Sequence, residues 1–138
     1  MIVADTGAVL ALLDTHDKHH LTLRKLYDEF PDEWLLPWAI LPEVDYLAAK
    51  ELGARAQEAF FADVAEGAFH VEYGREPDLI RAQQLARKYR ALRMGLVDAV
   101  VMAVAERVRA AAIATLDLRH FGAIELAGAP RLLPRDSL

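Results

Sequence analysis

The sequence predicts an α/β protein: three α/β/α layers around a central, mainly parallel sheet. Three observations predict it. Residues 2–4, 34–36 and 110–115 are short runs of continuous rather than alternating apolarity, the mark of strands buried on both faces. Segments of helical period lie between these runs. Acids stand at the junctions, with Asp5 directly after the first run and Asp117 two residues after the last. In an open parallel sheet those positions fall at the carboxyl edge of the strands, where ligand sites form.

The elements follow in order. Ile2, Val3 and Ala4 form the first strand, Thr6 is placed to cap a helix over 8–13, and a βα unit opens the chain. Residues 15–20, THDKHH, make a polar break before a second amphipathic helix over 21–30. His16 and His20 are four apart, but no third ligand follows at a tight spacing, so a solvated helix start is the better reading than zinc. Pro31 ends that helix, and 34–36 is the second strand. Pro42 suits the first turn of a helix over 42–52, which stops before Gly53. Glu43 and Asp45 both lie in that first turn and point about 200° apart around the axis, so only one can face a given site. Spacing does not choose between them.

A helix over 54–65 carries Phe60 and Phe61, read as core or interface packing rather than as a base-stacking platform. Residues 69–71 form the third strand. A long helix over 78–92 turns Leu79, Ala82, Leu85, Ala86 and Tyr89 inward. Its other faces carry Arg81, Arg87, Lys88 and Arg90, with Arg93 just beyond, the densest basic run in the chain. The next helix, over 95–107, shows one apolar stripe through Val97, Val100, Val101, Val104, Ala105 and Val108, with Asp98 in its first turn. Residues 110–115 are the fourth strand, beyond which Thr115 and Asp117, two apart, project to one side. Phe121 is a plug for the core, and Leu132 and Leu133 fit a last edge strand between two prolines.

Composition bounds the function. A chain of 138 residues, 54% of it hydrophobic, holds one core, and a single domain over 1–138 is expected. There is no Cys, which removes disulfides and thiolate metal sites. No leader pattern or membrane-length apolar run occurs, so a cytoplasmic protein without membrane contact is expected. The net charge of −5 argues against a general nucleic-acid binder. Bound divalent ions would bring that charge close to neutral, so a phosphate-bearing substrate stays open.

In a parallel sheet with right-handed crossovers, the strand ends at Asp5 and Asp117 and the helix starts at Glu43 or Asp45 and at Asp98 share one edge. Carboxylates gathered in one cleft repel one another unless a cation intervenes, and oxygen-only donors select Mg²⁺ or Mn²⁺.

The segments VADTGAVLALL, LPEVDYL, GLVDAVVMAVAER and IATLDLRHF, in this order, resemble the PIN-domain ribonucleases, more narrowly the VapC toxins of toxin–antitoxin pairs. The resemblance spans the chain from Ile2 to about Leu133. It implies a PIN-like fold, with catalytic and metal-holding acids at Asp5, Glu43, Asp98 and Asp117, and so favours Glu43 over Asp45. Asp5 and Asp98 are the expected principal ligands. It further implies a Mg²⁺- or Mn²⁺-dependent endoribonuclease, a cognate antitoxin and a homodimer. Thr6 and Thr115 match hydroxyl positions beside the acids and, with Arg119 and His120, are expected to contact the substrate, the last two at its phosphates. The alternatives are a non-catalytic RNA-binding or regulatory module on the same fold, and a phosphoacceptor receiver-like domain. The receiver reading fits poorly, because a single Asp5 stands where an acid pair is needed and no Lys follows the fourth strand.

Overall fold

The computed structural model describes residues 1–136; the last two positions of the predicted domain lie outside the described residues. Five parallel strands form one sheet: β1 (Ile2–Ala4), β2 (Trp34–Pro37), β3 (His70–Glu72), β4 (Ala112–Ala114) and β5 (Arg131–Leu133). Their spatial order is β3-β2-β1-β4-β5. The chain therefore runs outward from β1 through β2 to β3, then returns to the other side of β1 with β4. That reversal makes the β1–β4 boundary the switch point of the sheet, where a crevice opens beyond the strand ends. The pairing Ile2–Ala112, Val3–Ile113 and Ala4–Ala114 brings Asp5 and Thr115 to the edge together.

Seven helices connect the strands among the described residues: α1 (Thr6–Leu13), α2 (His20–Glu29), α3 (Leu41–Glu51), α4 (Ala54–Ala65), α5 (Glu76–Lys88), α6 (Leu96–Arg107) and α7 (Leu118–Phe121). The three-layer α/β/α expectation is met. The central strands are wholly buried, because small Ala and branched Ile and Val let helices approach both faces. Trp34, Tyr27, Phe69 and Phe60 form a tilted and edge-on aromatic cluster beneath β2 and β3.

Three details differ from the sequence reading. Asp5, not Thr6, caps α1, because its carboxylate reaches the Ala8 N–H at 2.8 Å and Thr6 becomes the first helical residue. Helix α6 is buried nearly all round from Val101 to Ala105 rather than along one stripe, since α5 packs on one side and the sheet on the other. Leu79 is 58% exposed, and the inward position in the first turn of α5 belongs to Asp78. Asp78 is held there by Arg107 of α6, whose Nε and Nη2 donate to its two oxygens at 2.6 and 2.9 Å. Arg107 also reaches Glu72 of β3 at 2.7 Å, and Arg81 of α5 grips Glu106 of α6 through two bonds of 2.6 and 3.1 Å. These charged pairs lock α5 against α6 and fix the helix that carries Asp98.

Candidate active site

At the switch point lies an open cleft of about 440 Å³, lined by Asp5, Thr6, Glu43, Asp98 and Asp117, with Leu10, Leu47 and Leu116 as apolar walls. Four separate elements deliver the four acids. Asp5 leaves β1, Glu43 and Asp98 stand in the first turns of α3 and α6, and Asp117 caps α7 after β4.

Asp5 is 3% exposed. Its second carboxylate oxygen accepts from the Thr115 hydroxyl, so both its oxygens are engaged within the fold. Burial pushes its pKa up to about 6. The hydrogen bonds from Thr115 and Ala8 oppose that rise, and the charges of Asp98 and Asp117 add to it. Asp98 is also raised, first by burial and then by Asp117 and Glu43, with His120 acting the other way. The acids thus share one electrostatic neighbourhood that lacks sufficient positive charge.

Thr115 is wholly buried and is the tie between the strand ends. Its hydroxyl donates to Asp5 and accepts from the Asp117 N–H at 3.0 Å. The expectation of substrate contact at Thr115 is corrected: no surface is left for a substrate, and the side chain orients two acids instead. Thr6 is 6% exposed, lines the cleft, and its hydroxyl has no hydrogen-bond partner among the described residues. An orphaned hydroxyl beside unneutralised carboxylates is what a bound ion, its water or a phosphate oxygen would satisfy.

Geometry separates the two acids of α3. Glu43 lines the cleft, whereas Asp45 turns to α4 and accepts from Gln57 Nε2 at 3.0 Å. His20 Nδ1 sits 3.0 Å from the Ala11 carbonyl and His16 is exposed, so this pair gathers no metal ligands. Arg119 is exposed on α7, while His120 turns inward. The sequence reading did not place His120 among the ligating groups. Among the described residues, Asp98, Asp117 and His120 bring one ligand atom each to within 4.8 Å of one another. Asp5 and Glu43 stand outside that tight group, which differs from the expectation that Asp5 and Asp98 lead. Each Asp5 oxygen accepts one hydrogen bond, from Ala8 or from Thr115, and keeps a further lone pair toward the cleft's charge. Hard oxygen donors, a lone hydroxyl and a charge deficit together fit a divalent cation.

The model of the PIN domain matches residues 2–125. The chain belongs to the PIN-domain family. Ribonuclease VapC26 of Mycobacterium tuberculosis is 31% identical to this PIN domain over 130 residues, covering 94% of the chain and 96% of the relative. Among solved structures, the Mycobacterium tuberculosis toxin VapC20, described as cleaving the sarcin–ricin loop, superposes with a TM-score of 0.82 at 22% identity. That match covers 94% of this chain and 99% of VapC20. The DNA-bound VapBC complex of Salmonella typhimurium gives a TM-score of 0.72 at 17% identity, over 96% of this PIN domain and 97% of its counterpart. At these identities the structural matches speak for the fold.

Proposed function

We propose that this PIN domain is a divalent-metal-dependent endoribonuclease that hydrolyses RNA phosphodiesters and acts in the cytoplasm as the toxin of a VapBC-type pair. The observation that carries the reading is the convergence of four carboxylates from four elements on one switch-point cleft, in a chain related to a named VapC ribonuclease. Asp98 and Asp117 hold the ion, with Glu43 and Asp5 completing the ring of negative charge directly or through water. A bound Mg²⁺ or Mn²⁺ supplies acidity to water and positive charge to the phosphate. The chain's own groups do the rest. Thr115 fixes Asp5 and Asp117, and Thr6, whose buried hydroxyl has no partner among the described residues, lines the cleft beside them. Arg119, with Arg87, Lys88 and Arg90 on the exposed end of α5 and the turn after it, attracts the RNA backbone. Arg81 is removed from that set, because Glu106 occupies it.

The cognate antitoxin is proposed to lie in the apolar groove between α3 and α4, lined by Trp38, Pro42, Phe61, Val64 and Tyr73. One face of α3 lines this groove and another, through Glu43 and Leu47, lines the acidic cleft. A partner seated in the groove can therefore send a basic side chain to the carboxylates and exclude the ion. Leu79 and Ile80, 58% and 56% exposed on α5, offer a separate apolar face for a second copy in a homodimer.

End-group analysis of cleaved RNA tests the chemistry. Hydrolysis at this centre leaves 5′-phosphate and 3′-hydroxyl ends, and a 2′-deoxy residue at the scissile position does not block cleavage. Asp98→Asn removes activity by about a thousandfold or more while the protein stays folded. A 2′,3′-cyclic phosphate product would overturn the mechanism.

A further inference from the structure

His120 lies between two fixed points. On one side its Nε2 is 2.9 Å from the carbonyl oxygen of Leu92, the last residue of the turn Arg90–Leu92. A carbonyl only accepts, so Nε2 is the donor to Leu92; Nδ1 faces the Asp117 carboxylate, also an acceptor, and would become a ligand when a cation takes the place of the proton between them. On the other side Nδ1 is 2.8 Å from Asp117 Oδ2 and 3.8 Å from Asp98 Oδ2. Around an octahedral ion with ligands at about 2.1 Å, adjacent donors stand about 3 Å apart and opposite donors about 4 Å apart. The separations seen here span that range. Pinning the far nitrogen of a ring to a main-chain carbonyl is also how a metal-ligating histidine is oriented. Thr6, 6% exposed, lines the cleft with Asp98 and Asp117, and its buried hydroxyl has no partner among the described residues, a second and independent sign that something polar binds there.

We propose that His120 Nδ1 is a nitrogen ligand of the divalent cation, bound together with Asp98 and Asp117. The inference rests on the reading of the acid cluster as a metal centre. It makes the donor set mixed rather than all-oxygen. An imidazole nitrogen suits Mn²⁺ better than Mg²⁺, so the mixed set favours Mn²⁺. The turn Arg90–Leu92 thereby becomes part of the metal site, although none of its side chains touches the ion. Among the described residues, His120 is the histidine grouped with Asp98 and Asp117.

Pulsed electron paramagnetic resonance on the full chain loaded with Mn²⁺ tests this, because a directly bound imidazole nitrogen modulates the electron spin echo. The expected result is a nitrogen modulation in the wild-type protein that disappears in His120→Gln. Calorimetry on the same two proteins is expected to show Mn²⁺ affinity falling about tenfold in the variant, with Mg²⁺ affinity changing less. The wild-type spectrum needs no variant, so a poorly folding His120→Gln protein does not blunt the test. Bound Mn²⁺ without nitrogen modulation overturns the inference and leaves the metal centre standing. Modulation that persists in folded His120→Gln also overturns it. Failure of the wild-type protein to bind Mn²⁺ overturns the metal-centre reading, and this inference with it.

Discussion

Asp5 shows how a residue that stabilises a fold locally also strains it electrostatically. Its carboxylate caps α1 and accepts from Thr115, yet burial holds its pKa at about 6, against an ordinary value of 3.8. Between those two values the folded protein binds more protons than the unfolded chain, so this group lowers stability as pH rises through that interval. Below the unfolded value the penalty is absent, and above about 6 it is complete. A shift of this size corresponds to about 3 kcal/mol, taken as an upper figure. Other carboxylates, Asp78 and Glu106 among them, are shifted down and pull the other way, so the effect is to be read as a difference. In chelator, Asp5→Asn is expected to gain stability relative to wild type between pH 4 and 6.5, as followed by urea unfolding. Asn keeps an acceptor for the Ala8 N–H and carries no charge. A difference that stays flat with pH would sink the argument.

Helices α5 and α6 form the rigid pair behind Asp98, and Arg107 is their clamp. It satisfies both oxygens of Asp78, which is 5% exposed, and also Glu72 on β3. Arg107→Ala would leave Asp78 with a buried charge and, among the described residues, the Arg75 N–H at 2.8 Å as its remaining hydrogen bond. The expected loss is about 3 kcal/mol, measured by denaturant unfolding, and Arg107→Ala combined with Asp78→Ala should lose less than the two single changes added together. Additive losses would show that the clamp is not a coupled unit. This pair also marks where the sequence stopped being legible. Apolar period placed Ala82 and Leu85 correctly on the inner face of α5. It could not show that an arginine twenty-nine residues on would draw Asp78 onto that face. With Asp78 turned in, Leu79, about 100° further round, is turned out. The acids were easier to read, because strand ends and helix starts fall on one edge in any parallel sheet. His120 was not, since its role depends on the Leu92 carbonyl, a main-chain atom that no side-chain pattern announces.

At the scale of the whole molecule, the catalytic edge and the apolar groove are neighbours because α3 borders both. The groove that seats a partner and the cleft that holds the acids therefore need not share residues. Trp38 and Tyr73 stack across the mouth of the groove at 5.3 Å between ring centres, and both are more than half exposed. Phe60 and Phe61, adjacent in sequence, divide the work of α4. Phe60 is 3% exposed and closes the core, while Phe61 is 72% exposed and faces the groove. An exposed aromatic ring costs the isolated domain little to replace, but at the centre of an interface such rings carry much of the binding energy. Phe61→Asp is therefore expected to leave the melting temperature and the RNase rate of the free toxin nearly unchanged. It should weaken the complex with the cognate antitoxin by about 2 kcal/mol, roughly thirtyfold in Kd. Calorimetric titration of the toxin with its antitoxin reads this directly. An unchanged Kd would move the antitoxin to another face of the molecule, and a loss of RNase activity in the free variant would show that the groove and the cleft are not separable.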